Sequence, residues 1–242
     1  MKMHQTIAIV GGGRMGRALT AALGAAGVPA GGPHGRGFDG AGADAVLLCV
    51  PDGQIAAAAA PIAPGPLVGH CSGATGLAAL APHEAFGLHP LMTITRRGGE
   101  FAGAAAAVAG STGRALAFAG ELATTLGMRP FEIADEDRAA YHAGAAMASN
   151  FLVALESAAQ RIAGVDREML APLVRAAVET WVVEGDAALT GPIARGDEET
   201  IERHREAIAQ RAPELLDLYD ALSAATRQVA ARAAATDRAP VA

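Results

Sequence analysis

Thr6-Ile-Ala-Ile-Val10 runs into Gly11-Gly-Gly13-Arg-Met-Gly16 and then into Arg17-Ala-Leu-Thr-Ala-Ala-Leu-Gly24. An apolar strand, a G-x-G-x-x-G turn and a small-residue helix follow one another in that order. Three glycines at this spacing mean little alone. Closing a strand and opening a helix, they form the dinucleotide fingerprint in the context it requires. Gly11 permits the tight turn, Gly13 lets backbone approach a pyrophosphate, and Gly16 lets helix and strand pack closely. Phosphates would sit on the unpaired N–H groups and positive dipole end of the helix, beside Arg14 and Met15. The plain alternative is a glycine-rich turn of an α/β protein that holds no nucleotide.

Working outward, apolar runs alternate with helical patterns. Ala43–Val50 is a continuous apolar run ending at Pro51-Asp52, as a parallel strand does at its carboxyl end. Leu67–Ser72, Phe86–Pro90, Ala104–Val108 and Met128–Ile133 read as further strands. Proline and glycine make the second strand, within 27–36, a weak one, and Pro90 is expected to cut the fifth short. Gln54–Ala60 and Gly113–Leu126 read as helices, as does a run of small residues after Gly73-Ala-Thr-Gly76. This pattern predicts an α/β fold, a doubly wound parallel Rossmann sheet followed by an all-helical C-terminal domain. The period switches near Ala134. Asp135–Gly164 carries no strand-like run and predicts one helix of about eight turns. Asp166–Glu184, Gly196–Gln210 and Pro213–Ala235 continue the helical pattern, and the tail from Thr236 is expected to fray. The domains are therefore expected at 1–134, binding NADP, and 135–242, serving substrate and dimerisation.

With 242 residues the chain can bury a real core. A net charge of −6 without a basic tract argues against nucleic acid as a partner. No apolar stretch long enough for a membrane span escapes interruption. Met1-Lys-Met-His4 leads straight into the first strand, with no signal-peptide pattern. Cys49 and Cys71 fall in predicted buried strands and are expected as reduced, structural thiols. The histidines are scattered and no Cys-x-x-Cys occurs, so no metal site is expected. Together these features predict a cytoplasmic protein.

Five constellations could carry chemistry. First, the window Gly31–Gly37 lacks the acidic residue that holds a ribose in NAD binders and offers Arg36 instead. A cation there pairs with a 2′-phosphate, which favours NADP while leaving NAD open. The alternative is a solvated loop arginine. Second, Val50-Pro51-Asp52 ends a central strand, where backbone and Asp52 would flank the cofactor; Asp52 could equally be a helix cap. Third, Ser72 and His89 each lie just past a strand end and should face one crevice. An imidazole with a pKa near 6.5 suits proton transfer during hydride transfer, and Ser72 could orient substrate or nicotinamide. The alternatives are a structural histidine and a helix cap. Fourth, in Tyr141-His142-Ala-Gly-Ala-Ala-Met-Ala-Ser149-Asn150, His142 and Ser149 share a helix face with Asn150 beside them. This polar stripe among small residues is either used or is a packing seam. Fifth, Thr190-Gly-Pro-Ile-Ala-Arg195-Gly-Asp197 is a turn leading to a helix start. Arg195 could hold an anionic carboxylate there, or the stretch is a plain loop capped by Asp197.

Several stretches carry a family resemblance: Gly11–Gly16, Val50–Asp52, His70-Cys-Ser-Gly73, Leu88-His-Pro-Leu91, Tyr141-His142 with Ser149-Asn-Phe-Leu152, and Leu189–Asp197. Together they resemble the superfamily that joins a Rossmann domain to a 6-phosphogluconate-dehydrogenase-like helical domain, and within it the branch with domain of unknown function 2520. Its relatives include pyrroline-5-carboxylate reductase, prephenate dehydrogenase, ketopantoate reductase and deazaflavin-dependent NADP reductase. Ser72 and His89 look like the Ser and His-Pro of prephenate dehydrogenases, where that His assists hydride transfer. Thr190–Asp197 looks like the loop that pyrroline carboxylate reductase dimers bring to the active site. The resemblance implies a homodimer through the helical domain. One feature departs from the hydroxyacid dehydrogenases of this superfamily, which place a Lys four residues before the Asn. Here that position is Ala146.

The expected function is that of an NADP-dependent oxidoreductase. Hydride would pass to or from a small carboxylate-bearing 2-oxo acid, hydroxy acid or imine in the interdomain cleft. His89 would serve as acid/base with His142 as its rival. Ser72, Ser149 and Asn150 would position the substrate and Arg195 would hold its carboxylate. The alternative is a non-catalytic NADP(H)-binding module that senses redox state.

Overall fold

The computed structural model describes residues 4–237. The expectations for Met1–Met3 and for the tail beyond Asp237 concern residues outside that range. The chain divides into two compact units, the first ending at Ser149 and the second beginning at Asn150.

The first unit is built on a seven-stranded sheet. Its strands are β1 (Ile7–Val10), β2 (Ala30–His34), β3 (Ala45–Leu48), β4 (Leu67–His70), β5 (Ala85–Leu91), β6 (Ala105–Gly110) and β7 (Arg129–Glu132). They lie in the order β2-β1-β3-β4-β5-β6-β7, and every pair is parallel except β5 with β6. β1, β3 and β4 are buried at every position, as strands covered on both faces must be. Ile7, Ile9 and Leu47 pack with Leu19 and Leu23 of helix α1 (Arg14–Ala25) and with Phe118 and Leu122 of α3 (Gly113–Thr125) on one face. Ala8, Val46 and Val68 pack with Ile55 and Ala59 of the short helix α2 (Ile55–Ala59) on the other. Gly69 of β4 lies directly opposite Phe86 of β5, and a Cβ on that glycine would sit 2.4 Å from the Phe86 ring.

Three local expectations are corrected. β5 runs through Pro90 to Leu91 instead of stopping. Its pairing with β4 ends at Gly87, so past that point only β6 borders it and a residue without an N–H is tolerated. After Gly73–Gly76 only a 3₁₀ turn forms, at Leu77–Leu80, because Gly76 and Pro82 leave room for a single turn. The helix expected over 135–164 is interrupted. A 3₁₀ turn at Asp135–Asp137 leads to α4 (Arg138–Ala146), a π-turn covers Met147–Phe151, and α5 (Leu152–Ala163) follows. Ser149 donates its hydroxyl to the Ala145 carbonyl at 2.7 Å inside that π-turn, competing with the backbone ladder.

The second unit is all helical. Besides α5 it contains α6 (Arg167–Glu184), α7 (Gly191–Arg195), α8 (Glu198–Arg211) and α9 (Leu216–Asp237). Gly164 and Gly196 take positive φ to end α5 and α7. Arg205 of α8 clamps Asp220 of α9 through two bonds of 2.9 and 3.1 Å, and Arg227 reaches back to Glu198. α6 has no buried residue.

Candidate functional site

At the carboxyl ends of β1, β2 and β3 the strand order reverses about β1, and a cleft of about 550 Å³ opens there. Gly11–Gly13, His34, Arg36, Val50 and Pro51 line it. Gly11 holds φ +110° with the Cys49 carbonyl oxygen 2.4 Å from where a Cβ would stand, so only glycine fits. Gly16 is closed in the same way by the Gly11 carbonyl, 1.9 Å from its notional Cβ. Gly12 and Gly13, by contrast, face open space, with nothing within 4 Å. No side chain caps α1 and no acid occupies its first turn. Its N-terminal N–H groups therefore remain a site for an anion. Arg14 begins this helix exposed, whereas Met15 packs into the core. Arg36 is exposed at the rim. A larger hollow of about 680 Å³ lies near the opposite ends of the strands. Three of its charged groups bond within the chain: Asp44 accepts the Thr6 N–H, Asp39 the Ala41 N–H, and Arg114 pairs with Glu84.

A second group of polar residues gathers where β4 and β5 end. Ser72 donates its hydroxyl to Asp52 Oδ2 at 2.8 Å and accepts the N–H groups of Ala74 and Thr75 at 3.2 and 2.9 Å. One donor and two lone pairs are thereby filled, and the 72–76 loop is pinned. Ser72 is thus an organiser of backbone, and it ties Asp52, next to Pro51 of the cleft lining, to this second group. His70, fully buried, accepts the Ser72 N–H at Nδ1 (3.2 Å) and faces the Gly76 carbonyl with Nε2 (3.4 Å). Both bonds together require the Nε2–H tautomer, and burial lowers the ring's pKa.

His89 differs. Its Nδ1 meets the Tyr141 hydroxyl at 2.7 Å. A Cβ at Gly73 would stand 3.0 Å from His89 Nε2 and 2.9 Å from His142 Cδ2, so glycine keeps the space between the two imidazoles open. The rings lie 6.2 Å apart, centroid to centroid. Burial lowers the His89 pKa to about 4, with further lowering from His142 and Arg138. The ordinary value near 6.5 expected from the sequence is thereby corrected: the ring is neutral at pH 7. Arg138 contributes to that lowering from a buried position. Only 3% exposed, it donates Nε to Asp135 Oδ1 at 2.7 Å, while its Nη2 has no partner.

Of the remaining residues singled out, Ser149 takes the Ala145 carbonyl within the π-turn. The wider turn removes it from the α-helical phase that a seven-residue spacing from His142 assumes. Asn150 and Arg195 belong to the second unit and are exposed, the latter closing α7. Sequence reasoning assigned no role to His70 or Gly73 beyond their place in the stretch 70–73, and did not single out Arg138 or the pairing of Tyr141 with His89. One signal was available: Asp135 and Arg138 stand three apart at a helix start otherwise rich in small residues. Cys49 and Cys71 are free thiols with sulfurs 3.8 Å apart; contact with Cys49 and burial push the Cys71 thiol up. Among the described residues no group of three His, Cys, Asp or Glu is placed to hold a metal, and no helix is long and apolar enough to cross a membrane.

Residues 104–226 match the family described as domain of unknown function (DUF2520). The chain belongs to that family. No curated protein matches the sequence. Among solved structures, this DUF2520 protein is similar to an inferred NADP oxidoreductase from Bacteroides fragilis. That match has 19% identity over 93% of this chain and 98% of the other, with a TM-score of 0.76. A Thermotoga maritima protein matches with 23% identity over 93% and 98% of the two chains and a TM-score of 0.74. A reductive aminase from Aspergillus terreus, solved with NADPH and ethyl-5-oxohexanoate, matches with 18% identity over 95% and 98%, at a TM-score of 0.62. These likenesses show the fold, a Rossmann sheet followed by helices, as the sequence motifs implied.

Proposed function

We propose that this DUF2520 protein is an NADP-dependent oxidoreductase. It would transfer hydride to or from a small carboxylate-bearing 2-oxo acid, hydroxy acid or imine. The observation that carries the reading is the junction at Asp52 and Ser72. Asp52, which follows Pro51 of the cleft lining, there bonds the serine that anchors the loop beside His89, at the carboxyl ends of neighbouring strands. The bare backbone of Gly12 and Gly13 and the uncapped start of α1 fit a pyrophosphate. Arg36 at the cleft rim fits a 2′-phosphate, and Val50 and Pro51 flank the nucleotide. NADPH, when bound, supplies the hydride. His89 holds the proton at the reacting atom, with His142 across the gap kept by Gly73. In this reading residues 1–134 bind the cofactor and 135–242 serve the substrate and a second copy of the chain. The exposed Met169, Leu173, Trp181, Val182 and Val183 of α6 support a homodimer.

Support also comes from the reductive aminase and the Bacteroides oxidoreductase, whose names include NADPH or NADP. Calorimetry with NADPH and NADH tests the cofactor. Oxidation of NADPH across a panel of 2-oxo acids and cyclic imines tests the reaction. Micromolar NADPH binding with turnover of one panel member is expected. Absence of NADPH binding refutes the proposal. Binding without turnover on any substrate would move the protein to the redox-sensing reading.

A further inference from the structure

His70 closes β4 and His89 lies near the end of the adjacent β5, both largely buried, but only His89 has a nitrogen left over. His70 directs both ring nitrogens at backbone groups of its own loop. His89 directs Nδ1 at the Tyr141 hydroxyl, 2.7 Å away, and turns Nε2 toward the space that Gly73 keeps clear. Tyr141 is held edge-on by His89 on one side (5.5 Å) and by Phe131 of β7 on the other (5.9 Å). Its hydroxyl is thus aimed by packing as well as by the hydrogen bond.

We propose that His89 and Tyr141 form an uncharged proton relay. In it the His89 Nε2–H serves the reacting oxygen of the substrate, and the Tyr141 hydroxyl resupplies Nδ1. The proposal deepens the oxidoreductase reading and rests on it. In the reducing direction hydride forms the new C–H bond and the C=O π pair moves to oxygen. That oxygen takes the Nε2 proton as the Nε2–H bond breaks. Nδ1 takes the phenolic proton as the O–H bond of Tyr141 breaks. The site resets when Nδ1 returns its proton to the phenolate as water protonates Nε2, leaving hydroxide to the solvent. One hydride and one proton from water are consumed, and no imidazolium is needed at any point.

The surroundings suit such a relay. From α4, His142, Arg138 and Tyr141 itself face His89; Asp52 faces it from the turn after β3 and His70 from β4. Two of the three α4 groups, His142 and Arg138, oppose a second positive charge on the ring, as does His70, while Asp52 alone favours one. Burial raises the Tyr141 pKa, and the Arg138 guanidinium, itself buried with one nitrogen unpartnered, offsets part of that cost when Tyr141 carries a transient negative charge. Tyr141 is only half-buried, so water can complete the cycle.

The relay also selects substrate. A phenol can protonate an alkoxide, which is much more basic than phenolate. It charges an imine nitrogen ahead of hydride only uphill, because that step favours a group acidic near neutral pH. Within the proposed class the relay therefore favours 2-oxo acids over imines that must gain their proton in the site.

The test uses the full chain labelled with ¹⁵N at histidine, with and without Tyr141→Phe. His89 is expected to stay uncharged in its Nε2–H tautomer from pH 8 to pH 5. Tyr141→Phe should shift the His89 Nδ1 resonance while leaving thermal stability within a few degrees. In turnover with the best 2-oxo acid, the variant should lose about 100-fold in kcat, with little change in KM. A His89 that charges near pH 6.5, or that carries its proton on Nδ1, overturns the relay whatever the cofactor experiment shows. A Tyr141→Phe variant that keeps kcat within twofold overturns it as well, as does a panel in which imines that must gain their proton in the site outrun 2-oxo acids. Failure of the oxidoreductase reading appears separately, as missing NADPH binding in calorimetry.

Discussion

At the ends of β1 and β3 the chain makes room by leaving side chains out. At the ends of β4 and β5 it fills room with side chains bonded to one another. Gly11 and Gly16 are closed by carbonyl oxygens so tightly that no Cβ fits, while Gly12 and Gly13 beside them touch nothing. Ser72, His70 and His89 each engage partners, and most of those partners are backbone or come from another element. The first region should be sensitive to what is added and the second to what is removed. A surface for an unreacting phosphate needs exposed backbone. A group that handles a proton needs a fixed tautomer, and that demands a network.

The comparison can be broken at several points. The largest effect is expected from Gly16→Val. Its Cβ would lie 1.9 Å from the Gly11 carbonyl oxygen, so the loss should exceed about 4 kcal/mol in chemical unfolding, or the chain should fail to fold. Acid comes next. His89 has a folded-state pKa of about 4, below its unfolded value. The unfolded chain therefore takes up the proton first as pH falls through 6.5, and stability declines until about pH 4. Each unit in that window costs at most about 1.4 kcal/mol. His70, also lowered, adds in the same direction. His89→Gln should flatten part of the decline in urea midpoint between pH 6.5 and 4 and leave pH 8 little changed. Glu84, held to about 2 by Arg114 and Thr112, acts only below pH 4.5.

Smaller effects sharpen the contrast. Ser72→Ala strands the Ala74 and Thr75 N–H groups and should cost about 2 kcal/mol in denaturant titration. Arg36→Ala should weaken NADPH binding by about 1–2 kcal/mol in calorimetry and leave NADH unaffected. An unchanged NADPH/NADH ratio would remove the 2′-phosphate role. Smallest of all, Gly12→Ala should shift stability by less than about 0.5 kcal/mol, since its Cβ meets nothing, yet weaken NADPH binding.

How far each region is legible in sequence follows from the same contrast. Glycines required by backbone geometry announce themselves by spacing, so Gly11–Gly16 and the strand before them could be read directly. Apolar runs placed β3 and β4 because burial on both faces demands continuity, and placed β6 through its buried centre; β7, read as a strand as well, is exposed along its length. The π-turn at Met147–Phe151 left no trace, since its residues suit an α-helix equally well. The neutral state of His89 was hidden for a different reason. Burial, its main cause, arises only on folding, and His142 and Arg138, which lower the pKa further, lie some fifty residues away along the chain. The filled bonding of Ser72 likewise depends on Asp52, which no local pattern links to it.

Gly69 gives the strand pairing a lock and key. The Phe86 ring lies over the bare Cα of Gly69, and the nearest same-face positions are Leu67 on β4 and Cys71 just after it, each of which carries a Cβ. A two-residue slip of β5 along β4 would keep every side chain on its proper face but drive the ring into one of them. A one-residue slip would turn the ring to the other face altogether. The glycine therefore proofreads alignment during assembly, and in doing so it sets how far along the sheet edge His89 comes to rest.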